Sequence, residues 1–267
     1  MSRPAAGHGG LARAYDQTGD AWGPGPARLV YDRLAEVLVG MAPAPLVGRH
    51  VLDLGAGTGA ASRRVVAAGG RPVAVDVSVG MLRANPAGAG SAVVGDATRI
   101  PLATASVDGV VAAFSFNHLP DPAAGFREVA RVARRGAPVV VGTYAADDDH
   151  PVKQAVDRAL GEAGWILEPW YETVRSVAAP QLATTDGMLT AAHEGGLDGR
   201  AVQVAVDLPD LDPDDLIAWR LGLAQAAPFV RQLPPAGQTD LRDRARSLLG
   251  PNPPPLRRSI VVFTGVV

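Results

Sequence analysis

From residue 49 to residue 143 the chain alternates between two hydrophobic rhythms. Apolar runs at 50–54, 72–77, 92–95, 107–114 and 137–143 read as strands. The stretches between them, 58–68, 78–84 and the one opening at Asp121, carry their apolar positions at helical spacing. Strands that alternate with helices imply parallel pairing through crossover connections, an α/β doubly wound sheet. The run 107–114 is almost unbroken, as expected for a strand covered on both faces at the centre of such a sheet. Asp121 followed by Pro122 predicts a helix start, a capping carboxylate with proline at the first helical position. Phe126, Val129, Ala130 and Ala133 then form the buried stripe, and Gly136 is predicted to close the helix.

The flanks extend this unit. Leu29, Val30, Leu34, Val37, Leu38 and Met41 lie at helical spacing over 27–41, and Pro43 and Pro45 stop that helix. Past the core, 147–182 carries charges, two tryptophans and no strand pattern, so it reads as a mostly helical insertion. A helix at 185–194, a strand at 200–208, helices at 213–226 and 238–249, a proline-rich link at 251–255 and a strand at 259–264 follow. Two further strands bring the mostly parallel sheet to seven. The expected organisation is a helical lead-in at 1–48, a ligand-binding core at 49–144, and a remainder at 145–267 that completes the sheet. Insertions at 145–183 and 209–258 interrupt that remainder.

Composition narrows the function classes. At 267 residues the chain can bury a sizeable core. Arg, Asp or Glu interrupts every stretch that approaches the roughly 20 apolar residues needed to span a bilayer. The first ten residues lack the apolar core of a secretory signal. There is no cysteine, which removes disulfides, thiolate nucleophiles and cysteine-bound zinc and suits a reducing compartment. Acids and bases are interspersed to a net charge of −2, without the basic stripe of a nucleic-acid binder. These features lead us to expect a soluble cytoplasmic protein, monomer or homodimer, with a small-molecule partner and neither nucleic acid, membrane nor metal.

Candidate chemistry concentrates where strand 50–54 runs into Gly55-Ala56-Gly57-Thr58-Gly59. Glycine permits positive φ and close approach of a ligand, and the following helix start offers N–H groups. By itself this is ambiguous, because Gly55-x-Gly57-x-x-Ala60 also satisfies the dinucleotide fingerprint. Three acids bear on the choice. Asp53, two residues before Gly55, would repel a pyrophosphate but suits an ammonium group. Asp76, 21 residues after Gly55, can accept both hydroxyls of a ribose under either reading. Asp96, at the end of the third strand, is placed to accept from an adenine amino group, for which dinucleotide folds have no general need.

With these acids, the segments Val51-Leu52-Asp53-Leu54-Gly55-Ala56-Gly57-Thr58-Gly59, Val75-Asp76-Val77-Ser78-Val79-Gly80-Met81-Leu82, Gly95-Asp96-Ala97-Thr98-Arg99-Ile100-Pro101-Leu102 and Ser106-Val107-Asp108-Gly109-Val110-Val111 resemble the class I S-adenosylmethionine-dependent methyltransferases, especially their small-molecule, natural-product branch. Phe126-Arg127-Glu128-Val129 and Val139-Val140-Val141-Gly142 continue the resemblance, which covers residues 11–144 well and the rest loosely. It implies a Rossmann-like fold that binds S-adenosyl-L-methionine. Gly55, Ala56 and Gly57 would line its methionine part, with Asp53 at the ammonium group. Asp76 would hold the ribose, Val77 and Met81 would flank the adenine, and Asp96 with Ala97 would meet its edge. Phe114 and Ser115 would lie beneath the sulfonium, and Tyr15 and Trp22 would close over the methionine end. Asp108 reads as part of a turn.

Transfer to a hydroxyl needs a base, and His118 in Phe116-Asn117-His118-Leu119-Pro120 falls where the family's reacting methyl group lies. It is the candidate catalytic and substrate-contacting residue, with cofactor bracing as the alternative role. His8, His50 and His193 carry no assigned chemistry. Asp147-Asp148-Asp149-His150 reads as a solvated acidic loop capping the next helix rather than a metal cluster, and Glu168 and Glu172 read as a solvated face. In this fold the insertion at 147–182 would sit above the carboxyl edge of the sheet as a substrate lid, with Trp165, Trp170 and Tyr171 as contacts. Trp219, Arg220, Phe229 and Arg231 in the second insertion read as helix packing. Two other readings stay open: a methyltransferase fold using its cofactor structurally, as a cyclase or ligand-binding protein, and a nicotinamide oxidoreductase. The last lacks a recognisable Tyr-x-x-x-Lys pair.

Overall fold

The computed structural model describes residues 8–22, 25–88, 90–208 and 211–267. Residues 1–7 of the stretch judged to lack a secretory core, the side chain of His8, and residues 209 and 210 of the second insertion lie outside this description.

Seven strands form one sheet among the described residues: β1 (His50–Leu54), β2 (Arg71–Asp76), β3 (Ala92–Val94), β4 (Gly109–Ala113), β5 (Pro138–Tyr144), β6 (Gly199–Asp207) and β7 (Arg257–Val266), in the order β3-β2-β1-β4-β5-β7-β6. β1 to β5 pair in parallel, whereas β7 runs antiparallel between β5 and β6. Side chains alternate between the two faces of a strand, and the core divides accordingly. Val51, Val111, Val140 and Val262 pack into one apolar layer, while Leu52, Val110, Val141 and Val261 pack into the other. Central strands covered on both sides need apolar residues at every position, which explains the unbroken run through β4 and β5.

The helices in chain order are α1 (His8–Asp16), α2 (Gly19–Trp22), α3 (Pro26–Gly40), α4 (Ala60–Ala67), α5 (Val79–Arg83), α6 (Pro122–Val132), α7 (Pro151–Glu162), α8 (Pro169–Thr173), α9 (Ala179–Gln181), α10 (Thr185–Glu194), α11 (Pro213–Leu221), α12 (Ala227–Gln232) and α13 (Pro235–Leu249). A single π-helical turn, Val174–Ala178, joins α8 to α9. The layer on one face includes α3, α7, α11 and α13, and α6 and α10 cover the other. No helix among the described residues is long and apolar enough to cross a membrane.

Two expected boundaries move. α6 ends at Val132 instead of continuing to Gly136, because Ala133 turns extended and bridges to Val107 beside the sheet. Gly136 instead occupies a positive-φ turn before β5, at φ +82°. The single helix expected over 213–226 breaks after Leu221, and α12 begins at Ala227. The break leaves the carbonyls of Gly222 and Gln225 outside a helical ladder, where they accept from the indole N–H groups of Trp22 (2.6 Å) and Trp165 (3.1 Å).

Candidate functional site

Strand order reverses between β1 and β4, and in open α/β sheets the crevice outside the carboxyl ends at such a switch point is where ligands bind. A cavity of about 1140 Å³ opens there, reaching from β2 and β3 across to β5 and β7. Asp53, Gly55, Ala56, Gly57, Asp76 and Val77 line it, as do Met81, Asp96, Ala97, Phe114 and Ser115. Tyr15, Trp22, His118, Trp165 and Tyr171 complete the expected set. Trp170 is not among the lining residues and packs one layer back, with its ring 6.2 Å from that of Tyr15.

The glycine turn shows why its residues are small. Gly55 has φ +72°, and a Cβ there would sit 2.2 Å from the Cβ of Ser115. Gly57, at φ +52°, faces open space, since an added Cβ would meet nothing within 4 Å. The first N–H groups of the turn are tied to β2: Gly55 and Ala56 donate to the Val75 carbonyl, and Gly57 donates to Asp76 Oδ2 at 2.8 Å.

The acids differ in environment. Asp53 is buried; its Oδ2 accepts from the Ser62 hydroxyl at 2.6 Å, while Oδ1 has no partner. Burial, offset in part by the Ser62 bonds, pushes its carboxyl up to about 6. Burial also raises Asp76, against the opposing pull of N–H groups from Ser78 and Gly57. Asp96 Oδ1 accepts from both the N–H and the hydroxyl of Thr98 at 2.8 Å, fixing the turn after β3. Phe114, just past β4, is held at φ +60°, a conformation that costs a non-glycine residue strain and persists only where packing imposes it. Here its ring stacks on Tyr144 at 4.7 Å and meets Tyr31 edge-on at 6.3 Å.

The lead-in forms the roof. Asp16, at the end of α1, accepts from Ser78 Oγ (2.7 Å) and from the N–H of Gly80 (2.9 Å), tying α1 to the start of α5. Tyr15 Oη and His118 Nε2 are hydrogen-bonded at 3.1 Å, with the rings edge to face. Burial lowers His118 to about 4, so the imidazole is neutral at physiological pH, and its Nδ1 is buried without a partner. Burial likewise raises the Tyr15 phenol well above its ordinary value.

Other candidates fall elsewhere. His50 and His193 sit beside Asp108 and Asp198. Asp108 accepts from the His50 N–H and from Arg134, closing the turn before β4. The members of Asp147–His150 diverge: Asp147 accepts from Gln203, Asp148 pairs with Arg258, and the Nδ1 of His150 accepts from Val152 N–H to cap α7. No group of three or more His, Cys, Asp or Glu among the described residues is arranged to hold a metal. Glu172 pairs with Arg175 and lies off the cavity with Glu168, Phe229 and Arg231, whereas Trp219 and Arg220 line it. Sequence reasoning missed Asp16, Tyr31, Asn117, Tyr144, Asp148 and Arg258. Asp16 and Tyr144 stand at the ends of α1 and β5, a signal the sequence offered, whereas Tyr31 lies within α3 and Asp148 in the loop after β5.

Fold and cavity together define an α/β domain with a ligand crevice at its switch point, and its fold is that of several solved methyltransferases. Residues 52–141 match the family model described as a methyltransferase domain. The chain is similar to the demethylmenaquinone methyltransferase of Mycolicibacterium vanbaalenii, with 39% identity over 136 residues. That match covers 51% of this chain and 58% of the relative, so the chain spans little more than half of the protein it resembles. Among solved structures, phosphoethanolamine N-methyltransferase 2 of Haemonchus contortus, in complex with S-adenosylhomocysteine, superposes with TM-score 0.56 at 15% identity, over 100% of this chain and 61% of that one. The 4+2 cyclase SpnF superposes with TM-score 0.54 at 16% identity, covering 88% and 80%. At these identities the likeness is one of fold.

Proposed function

We propose that the chain transfers a methyl group from S-adenosyl-L-methionine to an O, N or C atom of a small molecule. The observation that carries this reading is the Oδ1 of Asp53, a buried carboxylate oxygen without a partner, beside a glycine turn that leaves space open at Gly57. A buried unpaired carboxylate is costly and fits the ammonium of an amino-acid ligand. The cofactor, when bound, supplies a methyl group made electrophilic by its sulfonium. Asp53 would hold the ammonium, and Asp76, fixed by two backbone N–H groups, would accept from the ribose hydroxyls. Val77 and Met81 would flank the adenine, with Asp96 and Ala97 at its edge, and Phe114 and Ser115 would lie beneath the reacting centre.

With its conjugate acid lowered to about 4 by burial and its Nε2 engaged with the Tyr15 hydroxyl, His118 is a weak base, so its proposed role is to position Tyr15 over the cofactor. The remaining work is alignment of the acceptor and exclusion of water, effects worth up to ~7–11 kcal/mol in well-oriented systems. Trp165 and Tyr171 would line the acceptor's side, with Trp170 supporting them from behind. The same reading has the chain acting in the cytoplasm on a secondary metabolite, as a monomer or homodimer. Its strand order, with β7 antiparallel between β5 and β6, departs from the 3-2-1-4-5-6 order of dinucleotide folds, which weighs against the oxidoreductase reading.

The weakness of His118 as a base also favours a second reading, in which the bound cofactor only shapes the cavity for a cyclisation or for ligand capture. Incubation with methyl-labelled cofactor and a library of small aromatic and polyketide-like acceptors separates the two. Label in an acceptor, with release of S-adenosylhomocysteine, is the expected result; cofactor recovered intact beside a rearranged acceptor would establish the second reading instead.

A further inference from the structure

The two edges of the sheet differ. β3, at one edge, has three residues, too few to offer a neighbour much to pair with. β6, at the other, runs for nine residues and pairs with β7 alone, in an unbroken register from Gly199 opposite Gly265 to Asp207 opposite Arg257. The Leu208 N–H donates to the Leu256 carbonyl where this ladder continues, so the even-numbered residues of β6 bond toward β7. The N–H and carbonyl groups of Ala201, Gln203, Ala205 and Asp207 therefore point away from the sheet, and they have no partner among the described residues.

The devices that usually blunt such an edge are missing. β6 contains no proline, no lysine and no bulge, and Gly199, Arg200, Val202, Gln203, Ala205 and Asp207 are all exposed. Val202 is an apolar side chain left 39% exposed. The Gln203 amide is turned back over β7, where it donates to Asp147 (2.9 Å) and to Ser259 Oγ (2.8 Å), so it leaves the edge clear.

What fits this edge is written in its own sequence: Ala201-Val202-Gln203-Val204-Ala205 reads the same in both directions. Antiparallel pairing about a two-fold axis at Gln203 sets Val202 opposite Val204 of a second copy and Ala201 opposite its Ala205. Each side chain keeps its face in such a pairing. The valines then meet on one face as β-branched cross-strand pairs, and the alanines meet on the other. Arg200 and Asp207 stand near opposite ends of the strand, so reversal brings the cationic end of one copy to the acidic end of the other and sets no like charges together.

We propose that β6 is a homodimer interface, through which two copies of this chain join their sheets into one continuous antiparallel seam centred on Gln203. An unrelated strand could bond to the same backbone groups, but only a second copy brings the palindrome with it. The proposal is independent of what the cavity binds.

The chain has no cysteine, so single introduced cysteines report on register without background. Facing residues of a hydrogen-bonded antiparallel pair lie about 5.5 Å apart at Cα, within the span of a disulfide. Gln203→Cys, on the axis, is expected to cross-link two copies under mild oxidation. Ala201→Cys lies four positions from its counterpart, about 13 Å along the strand, and is expected not to. Sedimentation equilibrium of the full chain at micromolar concentrations is expected to show a dimer. Ala205→Pro removes an outward N–H from each copy at a place where an edge strand tolerates proline. It is expected to weaken the dimer by at least about tenfold while leaving circular dichroism unchanged. A monomer at every concentration, a dimer that Ala205→Pro leaves equally tight, or Ala201→Cys cross-linking as fast as Gln203→Cys would overturn the proposal. Should Ala205→Pro fail to fold, the two cysteine variants decide alone.

Discussion

A carboxylate as buried as Asp53 faces opposing demands: the fold disfavours its charge, and a bound ammonium requires it. With the carboxyl raised to about 6, the free protein carries a neutral Asp53 below that pH and an ionised one above it. Since the ligand's ammonium selects the ionised form, affinity falls as pH drops through 6 and is fully present well above it. We therefore predict that binding of S-adenosylhomocysteine weakens about tenfold between pH 7.5 and pH 5, in step with a group titrating at about 6. Asp53→Asn should bind weakly with a flat profile. A flat profile in the parent protein would show that Asp53 does not face the ammonium. His118, lowered to about 4 by burial, contributes no ionisation near 6.5 to such a profile.

The lead-in helices and the first insertion act on the cavity from above. α1 is held by Asp16 at α5, by Tyr15 at His118, and by the ring of Trp170 against Gly10, where a Cβ would come within 3.3 Å of the indole. Trp165, in contrast, lines the cavity and donates to the Gln225 carbonyl. The two tryptophans should separate on truncation. Trp165→Ala should weaken acceptor binding by about tenfold or more. Trp170→Ala should leave acceptor affinity nearly intact while loosening α1, seen as faster hydrogen exchange across His8–Asp16. Equal loss of acceptor affinity in both variants would place Trp170 in direct contact with the acceptor. Sequence reasoning grouped these residues because both are aromatic and lie in one insertion. What divides them is a short helix, Pro169–Thr173, whose turn sends Trp170 toward Tyr15 and Tyr171 toward the cavity.

Across the molecule, legibility follows the range of the interactions involved. The strands β1 to β5 and the acids at their carboxyl ends were readable, because apolar runs and glycine turns are local signals and parallel order places strand ends together. β6 and β7 were visible as strands, but the pattern gave no direction for β7. Its antiparallel insertion brings Arg258 next to Tyr144 and makes a second polar centre out of residues more than 100 positions apart. The breaks after Val132 and Leu221 were hidden for a similar reason: a bridge from Val107 decides one, and tryptophans from distant segments occupy the carbonyls at the other. The central claim is that the half of the cavity over β1 and β2 holds S-adenosyl-L-methionine. Calorimetric titration with S-adenosylhomocysteine, alongside NAD and an Asp76→Ala control checked for folding, tests it most directly. Micromolar binding of the homocysteine nucleoside, lost in Asp76→Ala and unmatched by NAD, is the predicted result; no signal from it while NAD binds would contradict the account.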